Sequence, residues 1–401
     1  MSGTRHSGSI HKLAHAEKSR RDVLRGAGAI GLLGLLTACG TRGLASANPS
    51  AALDRSAQER FMTWGNWSAY LDTADDGVGH PTLDAFIKKS GIDVQYREDI
   101  EDMQTFIGKI QGQMSLGKDV GYDIVVLTDW MASRMIRFGF VQDLDLARIP
   151  NMANLLPALK KVDFDPGRTK SLTWQTGFAG LAWNTDRIRG GIQSVEDLWK
   201  PELKGRISVV SEFRDTIGVL MLAQGVDPSS DSWGDDEFDT AIDTLQKHVS
   251  SGQIRQIQGN SYTQALASGD ALAVIGWAGD VMQLNFEAEG EAYGFALPDS
   301  GGMLFSDNLM VPIGSPHKAN AEKLFDYYYE PAVAAQVAAY VNYVCPVVGA
   351  REEMAKIDES LVDNELIFPS DKTLGNTRVF RTLTKTEEQR YQQKFNAVMG
   401  T

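Results

Sequence analysis

The chain has 401 residues, of which 43% are hydrophobic and 23% are charged, and its formal net charge is −13. This composition excludes a disordered chain, because the apolar residues suffice for two packed domains of ordinary size. The negative charge disfavours binding to nucleic acid, and it suits either a cationic ligand or a plain solubilising surface.

The N-terminal segment has the pattern of an export signal. Arg20-Arg21 precedes the apolar run Gly26–Leu36, which resembles a twin-arginine signal and is too short for a stable transmembrane helix. Leu36-Thr37-Ala38-Cys39 resembles a bacterial lipobox, in which the cysteine is diacylated and begins the mature chain. We therefore expect a twin-arginine-type lipoprotein signal peptide over residues 1–38, and the lipidated Cys39 with a flexible tether over 39–58. Removal of residues 1–38, which hold six basic and two acidic residues, would change the net charge from −13 to −17.

This pattern predicts an exported protein that a lipid holds on the outer face of the cytoplasmic membrane, in the periplasm or at the cell surface. The chain contains two cysteines, Cys39 and Cys345. Lipidation of Cys39 would leave no disulfide, in spite of the exported context.

Strand and helix patterns alternate from residue 59 onward. Phe61–Trp64 is an apolar strand, and Thr82 is placed to cap a helix that Gly91 ends. Met103–Met114 has helical spacing, and Tyr122–Leu127 is a continuous apolar strand. Strands that alternate with helices predict a parallel sheet with crossover connections.

The second half of the chain has the same alternation. The expected strands are Gly177–Asn184, Ile207–Val210, Tyr293–Pro298 and Leu309–Pro312. One helix is expected to begin at a Ser194 capping box, and three more are expected to span Phe238–Val249, Ala321–Tyr329 and Pro331–Tyr340. Two successive α/β units predict a ligand in the crevice at the strand carboxyl ends. The loops expected there are 65–70, 128–130, 211–215, 277–280 and 305–307.

One stretch points to the ligand. Ala271–Ile275 has the small and apolar residues of a strand buried on both faces, and Trp277 and Asp280 follow it. A carboxylate at the end of a buried strand is costly to desolvate unless a cation meets it, and an indole face also attracts cations. We therefore predict a pocket for an organic cation.

Other aromatic and acidic residues also lie at predicted strand ends. Together with the first pair they are Trp67, Tyr70, Trp130, Glu212, Asp215, Trp277, Asp280, Phe305, Asp307 and Tyr343. Each alone is as compatible with a core residue, a salt bridge or a turn as with a ligand contact. As a set, aromatic walls with separated carboxylates suit a long cation.

The sequence gives no support for catalysis. It contains no nucleophile elbow, Walker A motif, HExxH zinc motif or CxxC pair. The histidines after the signal, His80, His248 and His317, are isolated from one another along the chain. We therefore expect no catalytic residue, no metal site and no cofactor.

Several motifs resemble the polyamine-binding (spermidine/putrescine) solute-binding proteins of bacterial ABC importers, over essentially all of residues 60–400. They are Asn66-Trp67-Ser68-Ala69-Tyr70, Tyr122-Asp123-Ile124-Val125-Val126, the segment 197–205, the segment 275–281, and Asp307-Asn308-Leu309 with Pro312. The resemblance implies a periplasmic-binding-protein-like α/β fold, in which crossing hinge strands join two α/β lobes with a ligand cleft between them. It implies lobe 1 over 59–176 plus 278–304 and lobe 2 over 177–277 plus 305–401.

The resemblance also implies roles for individual residues. The first lobe would be lined by Trp67, Ser68 and Tyr70, with Thr128 near the ligand, and the acidic contacts of the second lobe would be Glu212 and Asp215. The polymethylene chain would stack on Trp277, and its ammonium groups would be bound by Asp280 and Asp307. The aromatic sleeve would be completed by Phe305 and Tyr343. Ala69 departs from the family, which has an acidic residue there, and Asp72 or Asp129 is a candidate replacement.

The sequence thus predicts a lipid-anchored, monomeric protein that captures a polyamine and delivers it to an ABC permease. The alternatives are a binding protein for another small amine-containing solute, a secreted hydrolase and an adhesive lipoprotein. Turnover of amides would distinguish a hydrolase, and a failure to bind any small molecule would favour an adhesive role.

Overall fold

The computed structural model describes residues 49–74 and 77–400. Its strands are β1 (Phe61–Trp67), β2 (Asp93–Ile100), β3 (Ile124–Thr128), β4 (Leu172–Asn184), β5 (Ile207–Val210), β6 (Ile254–Gln258), β7 (Ala273–Trp277), β8 (Tyr293–Ala296), β9 (Gly302–Met310) and β10 (Thr377–Arg378). Its α-helices are α1 (Pro81–Ser90), α2 (Met103–Met114), α3 (Asp129–Arg137), α4 (Phe213–Ala223), α5 (Asp235–Ser250), α6 (Tyr262–Ser268), α7 (Ala278–Glu287), α8 (Lys318–Tyr328), α9 (Pro331–Val341), α10 (Ala350–Met354), α11 (Asp371–Gly375) and α12 (Lys385–Met399).

Hydrogen bonds join the strands into a sheet of order β2-β1-β3-β9-β4-β7-β5-β6, with β10 beside β9 and β8 beside β4. The strands β2, β1 and β3 are mutually parallel and form the first strand group. The strands β7, β5 and β6 are also parallel and form the second strand group. The alternation of strand and helix in the sequence predicted such parallel groups, and their crossovers are helical.

Two antiparallel strands connect the groups. The first part of β4 pairs with β9, and its last part, Ala179–Trp183, pairs with β7. The strand β9 pairs with β3 through Asp307–Met310 and with β4 along most of its length. The chain therefore crosses between the strand groups in the middle of the sheet. The assignment of residues to two lobes stays a prediction. The strand β9 runs across the lobe boundary that was expected between residues 304 and 305.

Separate apolar contacts support the first strand group. Phe106, Ile107 and Met135 belong to a buried cluster that packs α2 and α3 against Val125 and Leu127 of β3. Full burial of a side chain of this size contributes about 1.5–3 kcal/mol. These contacts fix α3 to the first strand group.

Local sequence signals predicted some elements well. The helix Met103–Met114 is confirmed, with Asp102 accepting a hydrogen bond from the Thr105 amide as its N-cap. The prediction that Thr82 caps α1 is wrong, because the helix begins at Pro81. The Asp72 carboxylate instead accepts hydrogen bonds from the Thr82 amide and hydroxyl, so a residue distant in sequence satisfies the helix start.

Two other predicted elements differ from the structure. Asp197 accepts from the Ser194 amide at 3.0 Å, as the capping-box pattern predicts, but the turn that follows is a short 3-10 helix, Val195–Trp199, because Pro201 follows at once. The strand expected from Leu309 begins at Gly302. Residues 305–307 therefore lie within β9 and not in a loop.

The described end of the expected tether contacts the folded body. The Ala52 and Arg55 amides donate to the Ile313 and Pro316 carbonyls, and Ser56 is buried. The predicted signal peptide and Cys39 lie outside the described residues. Within the described residues, no helix has the length and apolar character needed to cross a membrane.

Candidate ligand-binding site

The carboxyl ends of the parallel strands bring the predicted residues together. Trp67 ends β1 and Thr128 ends β3, on the side of the first strand group. Glu212 follows β5 and Trp277 ends β7, on the side of the second group. A ligand site at this edge is the position expected for open α/β sheets.

These residues line a cavity with about 400 Å³ of space that protein atoms do not fill, part of which is open to solvent. Its lining residues are Trp67, Ser68, Tyr70, Thr128, Glu212, Asp215, Asn260, Trp277, Asp280, Phe305, Asp307 and Tyr343. The structure thus brings together eleven of the twelve residues that the sequence singled out for ligand binding. Within the described part of the chain, no lysine, arginine or histidine lines this cavity.

Asp280 lies in the first turn of α7 and accepts hydrogen bonds at both carboxylate oxygens. The Tyr343 hydroxyl donates to Oδ1 at 2.8 Å, and the Tyr262 hydroxyl donates to Oδ2 at 2.9 Å. The Asn260 Nδ2 is 3.3 Å from Oδ2. Neutral donors therefore hold this carboxylate in place without neutralising its charge.

Two further aspartates are held in the same way. Asp307 accepts from the Thr128 and Tyr70 hydroxyls, each at 2.8 Å. Asp215 Oδ2 accepts from the Trp277 indole nitrogen at 2.8 Å. Each donor is an uncharged side chain that also lines the cavity, so the aromatic walls and the acids form one network.

Aromatic rings form the walls between the carboxylates. The Trp277 ring lies 6.2 Å from Phe305 and 6.3 Å from Trp67, and Tyr343 lies 4.9 Å from Tyr70, as ring-centroid distances. Edge-to-face contacts at such distances are favourable. Gly177 leaves room for these rings, since a Cβ atom there would lie 2.6 Å from Phe305 and 2.8 Å from Tyr343.

Burial raises the pKa of every acid that lines the cavity. The pKa is raised to about 6 for Asp215 and Asp280, to about 7 for Asp307 and to about 8 for Glu212. The hydrogen bonds from the tyrosines, Thr128 and Trp277 lower these pKa values, but less than burial raises them. A cation in the cavity would reverse the shifts, because an opposite charge favours the ionised form.

Trp130 is the predicted ligand contact that does not line the cavity. Its ring packs against the Arg214 guanidinium at 4.3 Å and the Arg134 guanidinium at 4.9 Å. The reason is that Trp130 lies in the first turn of α3 and faces α4, where cation–π contacts occupy its ring.

The arginines around Trp130 share one buried carboxylate. Glu388 of α12 accepts hydrogen bonds from Arg134 at 3.0 Å and from Arg137 at 2.7 Å, and an Arg214 nitrogen is 3.7 Å away. Burial lowers the pKa of Arg214 to about 10, although Glu212 and Glu388 raise it. We call Glu388, Arg134, Arg137 and Arg214 the arginine cluster.

Asn260 is the lining residue that the sequence interpretation missed. It follows β6, in which three of the five residues are polar without regular alternation and which was not recognised as a strand. Its position directly after a parallel strand is the signal that would have found it.

The residues considered as substitutes for an acid at position 69 do not line the cavity. The Asp129 carboxylate accepts from the Asn308 amide at 2.7 Å, and Asp72 is bonded to Thr82. Ala69 itself has a left-handed φ of 55°, and its amide donates to Glu98 Oε1 at 2.8 Å. The acids of the cavity are therefore Glu212, Asp215, Asp280 and Asp307.

Two α/β strand groups joined by crossing strands, with a cavity at the strand ends, define the class of two-lobed solute-binding proteins. The chain belongs to the bacterial extracellular solute-binding protein family, whose model matches residues 81–365. It resembles the solved structure titled a putative spermidine/putrescine ABC transporter from Listeria monocytogenes, with a TM-score of 0.72 and 22% identity, covering 85% of this chain and 99% of that one. This likeness confirms the periplasmic-binding-protein-like fold.

Curated relatives come from the same class. The spermidine/putrescine-binding periplasmic protein of Escherichia coli is 25% identical over 78% of this chain and 84% of its own length. The putrescine-binding periplasmic protein PotF of Escherichia coli is 29% identical over 72% of this chain and 78% of its own length.

Proposed function

We propose that this protein is the solute-binding component of an ABC importer, and that it captures a polyamine such as spermidine or putrescine between its lobes and delivers it to the permease. The observation that carries the proposal is the cavity with four acids, aromatic walls and no cationic lining residue among the described residues. The names of the curated relatives support the same ligand class.

The energetics of such a cavity suit a polyamine. A hydrogen bond to a charged group contributes about 1.5–3 kcal/mol, and a desolvated cation–π contact contributes about 2 kcal/mol. Two ammonium groups and one aromatic clamp sum to about 5–8 kcal/mol, and the upper end of this range corresponds to micromolar affinity. The polymethylene chain would pack against Trp277 and Phe305, with Asp280 and Asp307 binding its ammonium groups.

A binding role agrees with the chemistry of the lining residues. The described residues around the cavity include no cysteine, histidine or lysine. Cys345 is buried, and burial raises the pKa of its thiol to about 12, which suppresses the reactive thiolate. The aspartates are held by neutral donors, as a rigid binding site requires.

The delivery role needs an exported protein that stays close to its permease. The twin-arginine pattern and the lipobox supply this, since diacylation of Cys39 would anchor a monomer on the outer face of the membrane. Mass spectrometry of the membrane fraction would detect the lipid on Cys39, and an unmodified Cys39 would contradict the anchor.

Calorimetric titration tests the proposed ligand class. Putrescine, cadaverine, spermidine and spermine are titrated separately into the protein, and 1,4-butanediol serves as the uncharged control of equal chain length. We expect saturable heat with at least one amine and none with butanediol. The absence of heat and of a thermal shift with all four amines would contradict the polyamine proposal.

A further inference from the structure

The segment from Gly259 to Tyr262 joins β6 to α6 and places two polar side chains beside Asp280. Asn260 Nδ2 and the Tyr262 hydroxyl both donate to Asp280 Oδ2, at 3.3 Å and 2.9 Å. Asn260 lines the cavity, whereas Tyr262 is fully buried behind it. Asn260 can therefore contact a ligand directly, whereas Tyr262 can act on a ligand only through Asp280.

The Asn260 side chain has an unused acceptor. Its Oδ1 is buried and has no hydrogen-bond partner among the described residues. An unsatisfied buried acceptor is unfavourable, and an N–H group of a bound ammonium would satisfy it. Trp67 also lines the cavity with an unpartnered side-chain atom, but its indole nitrogen is a donor and does not bind an ammonium.

The Tyr262 hydroxyl joins the two residues on which the proposed site depends most. It accepts a hydrogen bond from the Trp277 amide at 2.9 Å and donates its single proton to Asp280. The ring has little freedom, since a Cβ atom at Gly276 would lie 2.7 Å from it. Tyr262 therefore fixes the backbone of Trp277 and the carboxylate of Asp280 relative to each other.

On the basis of the proposed function, we propose that Asn260 is a further ligand-binding residue whose Oδ1 accepts an N–H of the ammonium bound by Asp280, and that Tyr262 is the positioning residue that holds Asp280 beside it. A primary ammonium has three N–H groups and can donate to both acceptors at once. A tertiary ammonium has one N–H group, which the charged carboxylate takes. This end of the cavity therefore selects primary amines over N-alkylated amines.

Replacement of Asn260 by leucine tests the selection. Asn260→Leu keeps a similar shape and removes the Oδ1 acceptor, together with the long 3.3 Å contact from Nδ2 to Asp280. Calorimetry compares putrescine with N,N,N′,N′-tetramethylputrescine, which has one N–H at each end. We expect the Kd for putrescine to rise about tenfold, as for the loss of one charge-assisted hydrogen bond, and the Kd for the methylated amine to change less than about twofold. The preference for putrescine would fall accordingly.

Replacement of Tyr262 by phenylalanine tests the positioning role. The hydroxyl lowers the pKa of Asp280, so its loss would raise that pKa further and move the pH dependence of putrescine binding to higher pH. Tyr329→Phe is the matched control, because it removes another buried hydroxyl, bonded to the Thr173 carbonyl at 2.6 Å and outside the cavity. The control would lower stability without moving the pH profile.

Three results would overturn the inference. One is an unchanged Kd for putrescine in Asn260→Leu, and another is a loss of affinity that is equal for the two amines. The third is a Tyr262→Phe variant that melts at lower temperature but keeps the pH profile of the original protein. Failure of the original protein to bind either amine would overturn the proposed function and the inference together, so the two failures are distinguishable.

Discussion

Asp280 is the residue on which the proposed ligand site depends most, because its partly buried carboxylate lies in the first turn of α7, directly after β7. Asp280→Asn keeps the shape of the side chain and removes the charge that an ammonium would meet. We expect polyamine affinity to fall well over tenfold, which corresponds to more than about 1.4 kcal/mol. Calorimetry measures the change.

Asp270 provides the control for this substitution. It lies before β7, at the opposite end of the strand, and its exposed carboxylate is 3.4 Å from Arg255. Asp270→Asn removes the same charge from the same segment outside the cavity. Equal affinities of the Asp280 and Asp270 variants would contradict the assigned role of Asp280.

The raised pKa values of the cavity acids predict that binding depends on pH. Asp307, with a pKa raised to about 7, and Glu212, with a pKa raised to about 8, are largely protonated at pH 6. A polyamine requires their ionised forms, so binding releases protons and affinity rises with pH between about 6 and 8. We expect the Kd to fall at least tenfold over this range, because ionisation of a group with a pKa of about 7 alone accounts for about tenfold.

Calorimetry at pH 6 and pH 8, in buffers of different ionisation enthalpy, measures both the Kd and the protons released. Below pH 6 the acids hold their protons and the expected affinity is lowest. A Kd that is independent of pH, with no buffer-dependent heat, would contradict the assignment of buried, partly protonated carboxylates to the ligand site.

The junction between β7 and α7 shows how local structure positions the acids. Gly276 lets the chain pass close to the Tyr262 ring before Trp277 and Asp280 follow. Gly276→Ala would force the ring away and cost about 1–3 kcal/mol, as overpacking does. We expect a lower melting temperature together with weaker polyamine binding, measured by thermal unfolding and calorimetry.

Gly108 provides a control in which the same substitution should raise the stability of the protein. It lies inside α2, and a Cβ atom there would meet no atom within 4 Å. Gly108→Ala should stabilise the protein by about 0.5–1 kcal/mol through helix propensity, with polyamine affinity unchanged. If Gly276→Ala also stabilises the protein and leaves polyamine affinity unchanged, the close contact with Tyr262 does not determine the geometry of the ligand site.

Elements with strong local signals could be predicted from the sequence. The helix Met103–Met114 has apolar residues at helical spacing, and β7 is a continuous apolar run, so both were found. The carboxyl ends of such strands then located most of the cavity. The start of β9 at Gly302 was missed because a glycine begins the strand and polar residues interrupt it, and only its pairing with β4 and β3 defines it.

The site predictions that failed depend on tertiary contacts. Trp130 has the sequence context of a ligand contact, but its ring is occupied by Arg214, which is distant in sequence. Asn260 was missed because β6 is an edge strand of mostly polar residues that lack the alternation of a half-buried strand. The contact of Trp130 with Arg214 therefore cannot be deduced from the residues next to Trp130.

At the scale of the whole molecule, the arginine cluster connects the two strand groups. Its carboxylate, Glu388, lies on α12, which stacks Tyr391 on Phe238 of α5 at 4.0 Å on the side of the second group. Arg134 and Arg137 lie on α3, which packs on the first group. The cluster is therefore placed to hold the two sides together around the cavity.

Neutralisation of Glu388 tests whether this contact influences binding. In Glu388→Gln, three arginines lose their shared buried carboxylate, and their mutual repulsion opposes closure. If the two sides close around the ligand, an about tenfold lower closed fraction would raise the apparent Kd about tenfold for every ligand that binds the closed form. Calorimetry with putrescine and spermidine measures both values, and their ratio should stay unchanged.

Asp239→Asn is the control, because it removes a different ion pair of α12, the helix that carries Glu388. Asp239 of α5 pairs with Lys394 of α12, so this ion pair stays within the second strand group. Its loss should leave the affinity for both amines unchanged. A Glu388→Gln variant with normal affinity, or with an altered preference between the amines, would show that the arginine cluster does not govern closure.

The central claim is that the cavity at the strand ends holds one polyamine. Native mass spectrometry of the protein purified without added ligand, followed by addition of putrescine or spermidine, tests it most directly. The account predicts one bound polyamine per chain, and none when Asp280 and Asp307 are both replaced by asparagine. A spectrum with no bound polyamine, or with equal binding to the doubly substituted protein, would contradict it.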